Sequence, residues 1–340
     1  MAINKTRVTL KTIADQCGYS VNTVSRALRN DQRLSTQTIS KIQSTADQLG
    51  YIRNSHASSL RSGRSNIIAI ITEELLNPHY SLLTSEIDRI LHKIGYQIMI
   101  FCTYLSNELI SQAISTAVSN SVDGILFFPS VDDTEPLKQI CDHNIPVVLV
   151  DREISEVSAD IVRCDDYEGG YLAGKELCRL GHKRFLYIAG PHSNDSQLQR
   201  EAGFRRALQD NHIPLENLRI APFKISELSS PAAVMEFLRP LDYTAIFAFN
   251  DQVAYLIQTS LLAENYRIPE DISLIGFDYI RQGFTYLPPL TSVACESIQN
   301  MAQTAVSFLL RRIEDPSLPP QREVLPVNIY DGWTIGENRT

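Results

Sequence analysis

Glutamate is missing from the first 72 residues of a 340-residue chain whose overall net charge is −8. Residues 1–64 carry ten Lys or Arg against three Asp, a net of +7, which leaves −15 for the remainder. A basic head on an acidic body suits a module that binds a polyanion while the body is held off it. The six cysteines (Cys17, Cys102, Cys141, Cys164, Cys178 and Cys295) include no CxxC pair. That spacing argues for reduced thiols and against a disulfide framework or a zinc site. No apolar run nears the ~20 residues that span a bilayer, so no membrane partner is expected. No charged-then-apolar leader opens the chain, and the expected location is the cytoplasm. GxGxxG, P-loop, GxSxG and HExxH signatures are all lacking, as is any His/Asp/Ser set with a convincing context. Neither an enzyme nor a bound cofactor or metal is expected.

What is present starts with the stretch from Thr9 to Leu28. Leu10, Ile13, Ala14 and Cys17 recur at helical spacing and give one short helix an apolar face. Gly18 ends it, because the residue past a helix often needs positive φ. Ser20 caps a second helix with Thr23 in its first turn. Val24, Ala27 and Leu28 form the buried side of that helix, and Val21, Asn22, Ser25, Arg26 and Arg29 its outward side. Two short helices around a tight glycine turn make a helix-turn-helix pattern, whose outward residues would meet the DNA major groove. A helical hairpin inside a larger core would leave the outward polar residues and arginine unexplained. Ser35 opens a third helix to about Leu49, its stripe of Ile39, Ile42, Ala46 and Leu49 completes a three-helix core, and Gly50 closes it. From Asn54 to Ser65 runs a polar linker, either a disordered tether or a short helix that orders on DNA.

The texture changes at Asn66. Ile67-Ile68-Ala69-Ile70-Ile71 reads as a buried parallel strand. Strands over 97–102, 124–128 and 147–150 then alternate with helices over 81–94, 107–119 and 135–143. A second series follows from Tyr167, with a helix to Leu180, strands over 185–189, 219–223, 245–249 and 273–276, and helices over 198–211, 231–238 and 252–265. This alternation predicts an α/β body of two similar lobes with doubly wound parallel sheets. A helix over 298–313 and a strand over 323–327 belong to neither series and should pack back on the lobes. Lobes of this kind bind small ligands at the C-terminal ends of their strands.

Several motifs occur in a telling order: Val8-Thr9-Leu10-Lys11-Thr12-Ile13-Ala14, Gly18-Tyr19-Ser20, Thr23-Val24-Ser25-Arg26, Leu49-Gly50-Tyr51 and Arg53-Asn54. Further on stand Asn77-Pro78-His79-Tyr80, Val122-Asp123-Gly124-Ile125, Ile145-Pro146-Val147-Val148, Leu180-Gly181-His182-Lys183-Arg184 and Ile188-Ala189-Gly190-Pro191. The set closes with Phe249-Asn250-Asp251, Ile275-Gly276-Phe277-Asp278 and Leu290-Thr291-Ser292-Val293. In order and spacing they resemble the lactose-repressor (LacI/GalR-type) family of bacterial transcription regulators over nearly the whole chain. The resemblance implies a helix-turn-helix domain over 1–53, a hinge helix over 54–65 and a two-lobed, periplasmic-binding-protein-like body over 66–340. Lobe 1 would take about 66–163 plus 295–322, and lobe 2 about 164–294 plus 323–340.

By the same resemblance Val21, Asn22 and Arg26 match base-reading positions, and Thr9, Ser20, Thr23, Ser25 and Ser35 look like phosphate contacts. Arg26 can pair bidentately with guanine and Asn22 with adenine. Asn54 is implied in DNA contact, and Leu60, with Ala57 one turn before it, would wedge into the minor groove at a kinked step. The body also resembles sugar-binding proteins of the ribose-binding type. Its implied effector residues are His79, Tyr80, Asp151, Arg152, Arg200, Phe223, Asn250 and Asp278. Carboxylates and guanidinium groups at strand ends can take vicinal hydroxyls bidentately, and Phe223 and Tyr80 would cover ring faces. Asp251 reads as a helix cap and His182 as a capping or packing residue. Cys295 stands where the family commonly has glutamine, Glu296 replaces a common proline, and the tail Asn328-Ile329-Tyr330-Asp331 lacks the usual arginine. The expected function is a sugar-responsive, homodimeric repressor that binds palindromic double-stranded operator DNA. A regulator of a phosphorylated metabolite or protein partner, and a solute-binding protein, are the alternatives.

Overall fold

The computed structural model describes residues 8–51, 64–129, 134–154, 159–190, 195–223, 230–281 and 287–338. Residues 1–65 form one compact unit and 66–340 another. In the first, helices α1 (Leu10–Cys17), α2 (Val21–Ala27) and α3 (Thr36–Gln48) close around Ile13, Ala14, Cys17, Val24, Ala27, Ile42 and Ala46. Gly18 takes φ 75° and Gly50 φ 66°, the left-handed geometry that ends α1 and α3.

The second unit contains two six-stranded sheets. Strands β1 (Ile67–Thr72), β2 (Gln97–Cys102), β3 (Gly124–Phe127), β4 (Val147–Val150) and β5 (Asp160–Cys164) run in the first, with helices α4 (Pro78–Lys93), α5 (Asn107–Ser119) and α6 (Glu135–Asp142) between them. After α7 (Asp166–Arg179), the second sheet takes β6 (Phe185–Ala189), β7 (Leu218–Pro222), β8 (Ala245–Ala248), β9 (Ser273–Phe277) and β10 (Thr291–Cys295). Its helices are α8 (Asp195–Asp210), α9 (Pro231–Leu238) and α10 (Asp251–Ala263). Helix α11 (Ile298–Glu314) then returns to pack on α4, β3, β4 and β5. Strand β11 (Arg322–Leu325) completes the first sheet and β12 (Val327–Tyr330) the second, giving orders β11-β5-β4-β3-β1-β2 and β12-β10-β9-β8-β6-β7. The pairings are parallel except β10 with β12. Strands such as β1 are buried on both faces: Ile68 and Ile70 enter one cluster, Ala69 and Ile71 another.

Two strands escape the sequence pattern. Strand β5 begins with a buried Asp160 and holds Arg163, so it lacks the apolar run of its neighbours. The Asp160 carboxylate is instead met by Arg312 at 2.8 and 2.9 Å and by the Gln321 N–H at 2.7 Å. Strand β10 starts with buried Thr291 and Ser292, each satisfied by a distant side chain: the Thr334 hydroxyl accepts from the Thr291 N–H, and the Ser292 hydroxyl donates to Asp251. The single strand expected over 323–327 divides at Pro326 into β11 and β12. The change of lobe therefore falls after Leu325 and not at 322, and Cys295 ends a lobe 2 strand where a return to lobe 1 is expected.

Helices α7 and α8 touch backbone to backbone. A Cβ on Gly203 would lie 1.9 Å from the Tyr167 carbonyl oxygen, and one on Gly170 1.9 Å from that of Arg200. Gly203→Ala and Gly170→Ala should each lower the urea-unfolding free energy by about 3 kcal/mol, the upper range for overpacking. Gly95→Ala, at φ 85° in open space, should cost only about 1 kcal/mol of backbone strain.

Candidate functional site

In the first unit, the residues expected to touch DNA divide by local role. Thr9, Ser20 and Ser35 are the N-caps of the three helices, their hydroxyl oxygens accepting from the backbone N–H of Thr12, Thr23 and Thr38 at 3.3, 3.1 and 3.2 Å. The Thr23 hydroxyl in turn lies 2.8 Å from that of Ser20. Helix N-termini left open in this way suit phosphate oxygens. Val21 and Asn22 are exposed on the first turn of α2. Arg26 is half-buried, its Nε donating to Asp31 at 3.0 Å, and the same Asp31 carboxylate takes Arg33 at 2.7 Å. Those arginines hold Asp31 well below the usual carboxylate range. Arg29 follows α2 and donates through Nε to the Ser25 carbonyl. Ser25 corrects the expectation: it is buried with Val24, on the core side of the helix, because a 100° advance per residue carries it inward. Asn54, Ala57 and Leu60 lie outside the described residues.

In the second unit, the expected effector residues gather at the C-terminal ends of the strands. His79 and Tyr80 occupy the first turn of α4, whose cap Asn77 accepts from the His79 N–H at 3.0 Å. Asp151 follows β4 and Asp278 follows β9, at φ 71° and 107°. Both are non-glycine residues at positive φ, held by N–H donation to Val162 O at 2.9 Å and Val293 O at 2.8 Å. The imidazole Nε2 of His79 lies 2.7 Å from Asp151 Oδ2. Burial opposes charge on this ring, but the carboxylates of Asp151 and Asp278 overcome it and push its pKa up to about 10. Against its own burial, Asp151 is held below the usual range by the His79 charge and hydrogen bond. His79 Nδ1 is buried with no hydrogen-bond partner among the described residues.

Arg200 comes from α8. Its Nε donates to Asp166 at 2.7 Å, its Nη1 to the Phe249 carbonyl, and its Nη2 lies 3.9 Å from Asp278. The guanidinium stacks 3.5 Å above the Phe277 ring centroid. Every face of the group is thereby fixed in place. Burial pushes the Asp278 carboxyl up, and His79 and Arg200 oppose that push. Asn250 caps α10, accepting from Val253 N–H at 3.0 Å, and also borders the cleft. Asp251 is not the cap expected of it. Fully buried, it accepts from the Ser292 hydroxyl at 2.7 Å and from Ile280 N–H at 2.6 Å, bracing the backbone beside Asp278. Gly276 makes room for that carboxylate: a Cβ there would stand 2.1 Å from Asp251 Oδ1. His182 ties Thr244, Ser273 and Gly336 together as a buried packing residue.

The cleft so formed encloses about 60 Å³, far below the ~300 Å³ at which ligand pockets begin. A ligand the size of a sugar enters only if the lobes part or the His79–Asp151 pair swings aside. Arg152 borders the cleft, whereas Phe223 does not. Phe223 is fully buried in the second lobe, its ring against Phe237 at 5.4 Å, so its role as a sugar-facing ring is corrected. The aromatic side chains bordering the cleft are the expected Tyr80 and, in the second lobe, Phe249, whose position before Asn250 was the available signal. Asp166, Ser196 and Gln197 also border the cleft and were missed. Asp166 follows the unrecognised strand β5, and the other two open α8. Among the described residues no cluster of His, Cys, Asp and Glu could hold a metal, and no helix is long and apolar enough to cross a membrane.

Removing one partner of a buried ion pair leaves the other charge stranded. His79→Leu should therefore cost about 3 to 5 kcal/mol in urea unfolding at pH 7. In the wild type, the contribution of His79 is complete below its ordinary value of 6.5 and lost as pH rises through about 10. Unfolding free energy should fall over that window in the wild type, and the part due to this pair should be missing in His79→Gln.

Known proteins share both units. A model of bacterial regulatory proteins of the lacI family matches residues 9–54, and one of a periplasmic binding protein-like domain matches residues 175–335. The chain is 31% identical to the HTH-type transcriptional regulator DegA of Bacillus subtilis, over 85% of this chain and 86% of that one. The lac repressor dimer bound to operator and the anti-inducer ONPF superposes with a TM-score of 0.83 at 25% identity, covering 97% of this chain and 99% of that one. A LacI family transcriptional regulator from Enterococcus faecium with bound ribose gives a TM-score of 0.70 at 28% identity, over 79% of this chain and 98% of that one. A capped three-helix unit carrying the helix-turn-helix, joined in one chain to a two-sheet body with a charged cleft, thus belongs to the lacI family of bacterial regulatory proteins, the DNA-binding transcriptional regulators.

Proposed function

We propose that this chain is a homodimeric repressor acting in the cytoplasm, with no catalytic role, whose affinity for a palindromic operator is set by a neutral sugar in the cleft. The observation that carries the reading is the charge pattern there. Asp151, Asp166 and Asp278 face His79, Arg200 and Arg152 around one small space. Such a set offers both acceptors and donors to hydroxyl groups, which need both. It does not suit a phosphorylated metabolite, because His79 and Arg200 are already taken up by Asp151, Asp166 and Asp278 and leave little positive charge to offset a phosphate. The ribose held by the Enterococcus faecium relative supports a sugar of this class. The dimer is supported by exposed apolar side chains on adjoining elements, namely Leu82 on α4 and Ile100 on the edge strand β2, with Tyr104 just after it. An edge of that kind needs a cover, and a two-fold pair of recognition helices matches a palindrome. Effector and DNA must each favour a different arrangement of the lobes for one to release the other.

The test is binding of the purified protein to the DNA upstream of its own gene, followed by anisotropy with pentoses, hexoses, disaccharides and their phosphates. One neutral sugar should release the DNA; release by a sugar phosphate alone, or indifference to all, would sink the reading. Asp278→Asn should retain DNA binding and need about 30-fold more of that sugar for release. Arg26→Ala and Asn22→Ala should each weaken the specific complex by about 10- to 100-fold while leaving release by sugar in place.

A further inference from the structure

Among the described residues the chain passes between its two lobes three times, at 164–166, 295–298 and 325–327. Two of these passages start with a cysteine. Cys164 is the last residue of β5 in the first sheet and pairs with Leu325; Cys295 is the last residue of β10 in the second sheet and pairs with Val327. Leu325 and Val327 are two residues apart, and paired strands lie ~4.8 Å apart, so the third passage brings the two cysteines side by side. Cys295 Sγ lies 3.8 Å from the Ser297 carbonyl oxygen, and both cysteines line a cavity of about 590 Å³ bounded by α4 and the 278–281 and 294–299 segments. Both are free thiols, and neither takes part in the cleft ion pairs. His79 and Asp278 also line this cavity, so it opens directly beside the candidate effector cleft.

We propose that Cys164 and Cys295 are a peroxide-oxidisable dithiol whose disulfide staples the two lobes together at their crossing point. The two sulfurs are not equivalent. The neighbouring Cys164 thiol, with the His79 charge nearby, holds the Cys295 thiol below its ordinary value despite burial. The same interaction favours the protonated Cys164 thiol and, together with burial, pushes Cys164 well up. Cys295 is accordingly the attacking group. Its thiolate attacks one oxygen of hydrogen peroxide, the O–O bond breaks, and hydroxide leaves and takes up the proton that the thiol gave up. The product is a Cys295 sulfenic acid and one water. Cys164 then attacks the sulfenic sulfur; an S–S bond forms, the S–O bond breaks, and the departing hydroxide carries off the Cys164 proton as a second water. Two thiols and one peroxide give one disulfide and two waters.

The bond closes a loop from 164 to 295 and joins strand ends that otherwise turn with their own lobes. It constrains the unfolded chain and limits how far the lobes swing apart. This inference does not depend on the effector being a sugar. The test treats the reduced full-length protein with hydrogen peroxide, alkylates the remaining thiols and identifies linked peptides by mass spectrometry. A Cys164–Cys295 crosslink reversed by dithiothreitol is expected, with Cys141, the exposed thiol, still alkylated. In Cys164→Ser, Cys295 should stop at the sulfenic acid and be trapped by dimedone. The urea midpoint of oxidised wild type should rise above that of the reduced protein, and the rise should be lacking in Cys164→Ser. Oxidation of Cys141 with no crosslink at 164 and 295 would overturn the assignment, and an unchanged midpoint in crosslinked protein would overturn the staple.

Discussion

Burying carboxylates where strands end is costly unless cations are buried with them, and the body of this protein is arranged around meeting that cost. Asp151 is met by His79, and Asp166 and Asp278 by Arg200. The consequences spread outward from these pairs. Arg200 reaches its place only because α8 lies backbone to backbone on α7 through Gly170 and Gly203. Asp278 keeps its positive φ because Asp251 and Ser292 brace the next two residues. A group held on so many sides loses little freedom when a ligand arrives, which is how a small cleft achieves selectivity.

The same economy creates a mechanical problem. A cleft of about 60 Å³ is too small for a sugar as it stands, so binding requires a rearrangement of the lobes or of the side chains between them. Motion between the lobes must be absorbed at the passages near 165, 296 and 326, where the chain leaves one sheet for the other. Pro326 stiffens the last of them, and the cysteines stand at the first two. The strand ends that form the ligand site are therefore also the ends of the hinge. A change in contacts at one is necessarily a change in geometry at the other, and this is the physical basis for coupling a small molecule to a distant event.

The three-helix unit follows different rules. Its core is small, and its stability leans on local devices: a hydroxyl cap before each helix and a left-handed glycine after two of them. The hydroxyl residues that cap the third N–H of each helix leave the first two N–H groups to solvent. One set of residues thus serves the fold and offers the surface that a phosphate backbone would use. Asp31, clasping Arg26 and Arg33, keeps a basic surface ordered without neutralising it.

Local pattern alone determined the elements whose signals are local. Helical spacing at Leu10, Ile13 and Ala14, the turns at Gly18 and Gly50, and apolar runs such as Ile67–Ile71 all declare themselves within a few residues. That a cleft lies at the strand ends followed from the alternation of strand and helix; that His79, Asp151, Arg200, Asn250 and Asp278 border it followed from the family resemblance. Tertiary structure decided the rest. Strands β5 and β10 are polar by pattern and strands by circumstance, because Arg312, Thr334 and Asp251 arrive from far along the chain to satisfy them. Phe223 and Phe249 look alike in sequence, each following a strand, yet only one faces the cleft, since the direction of a ring at a strand end depends on what packs behind it. Which polar group becomes core and which becomes site is set by partners that no window of sequence contains.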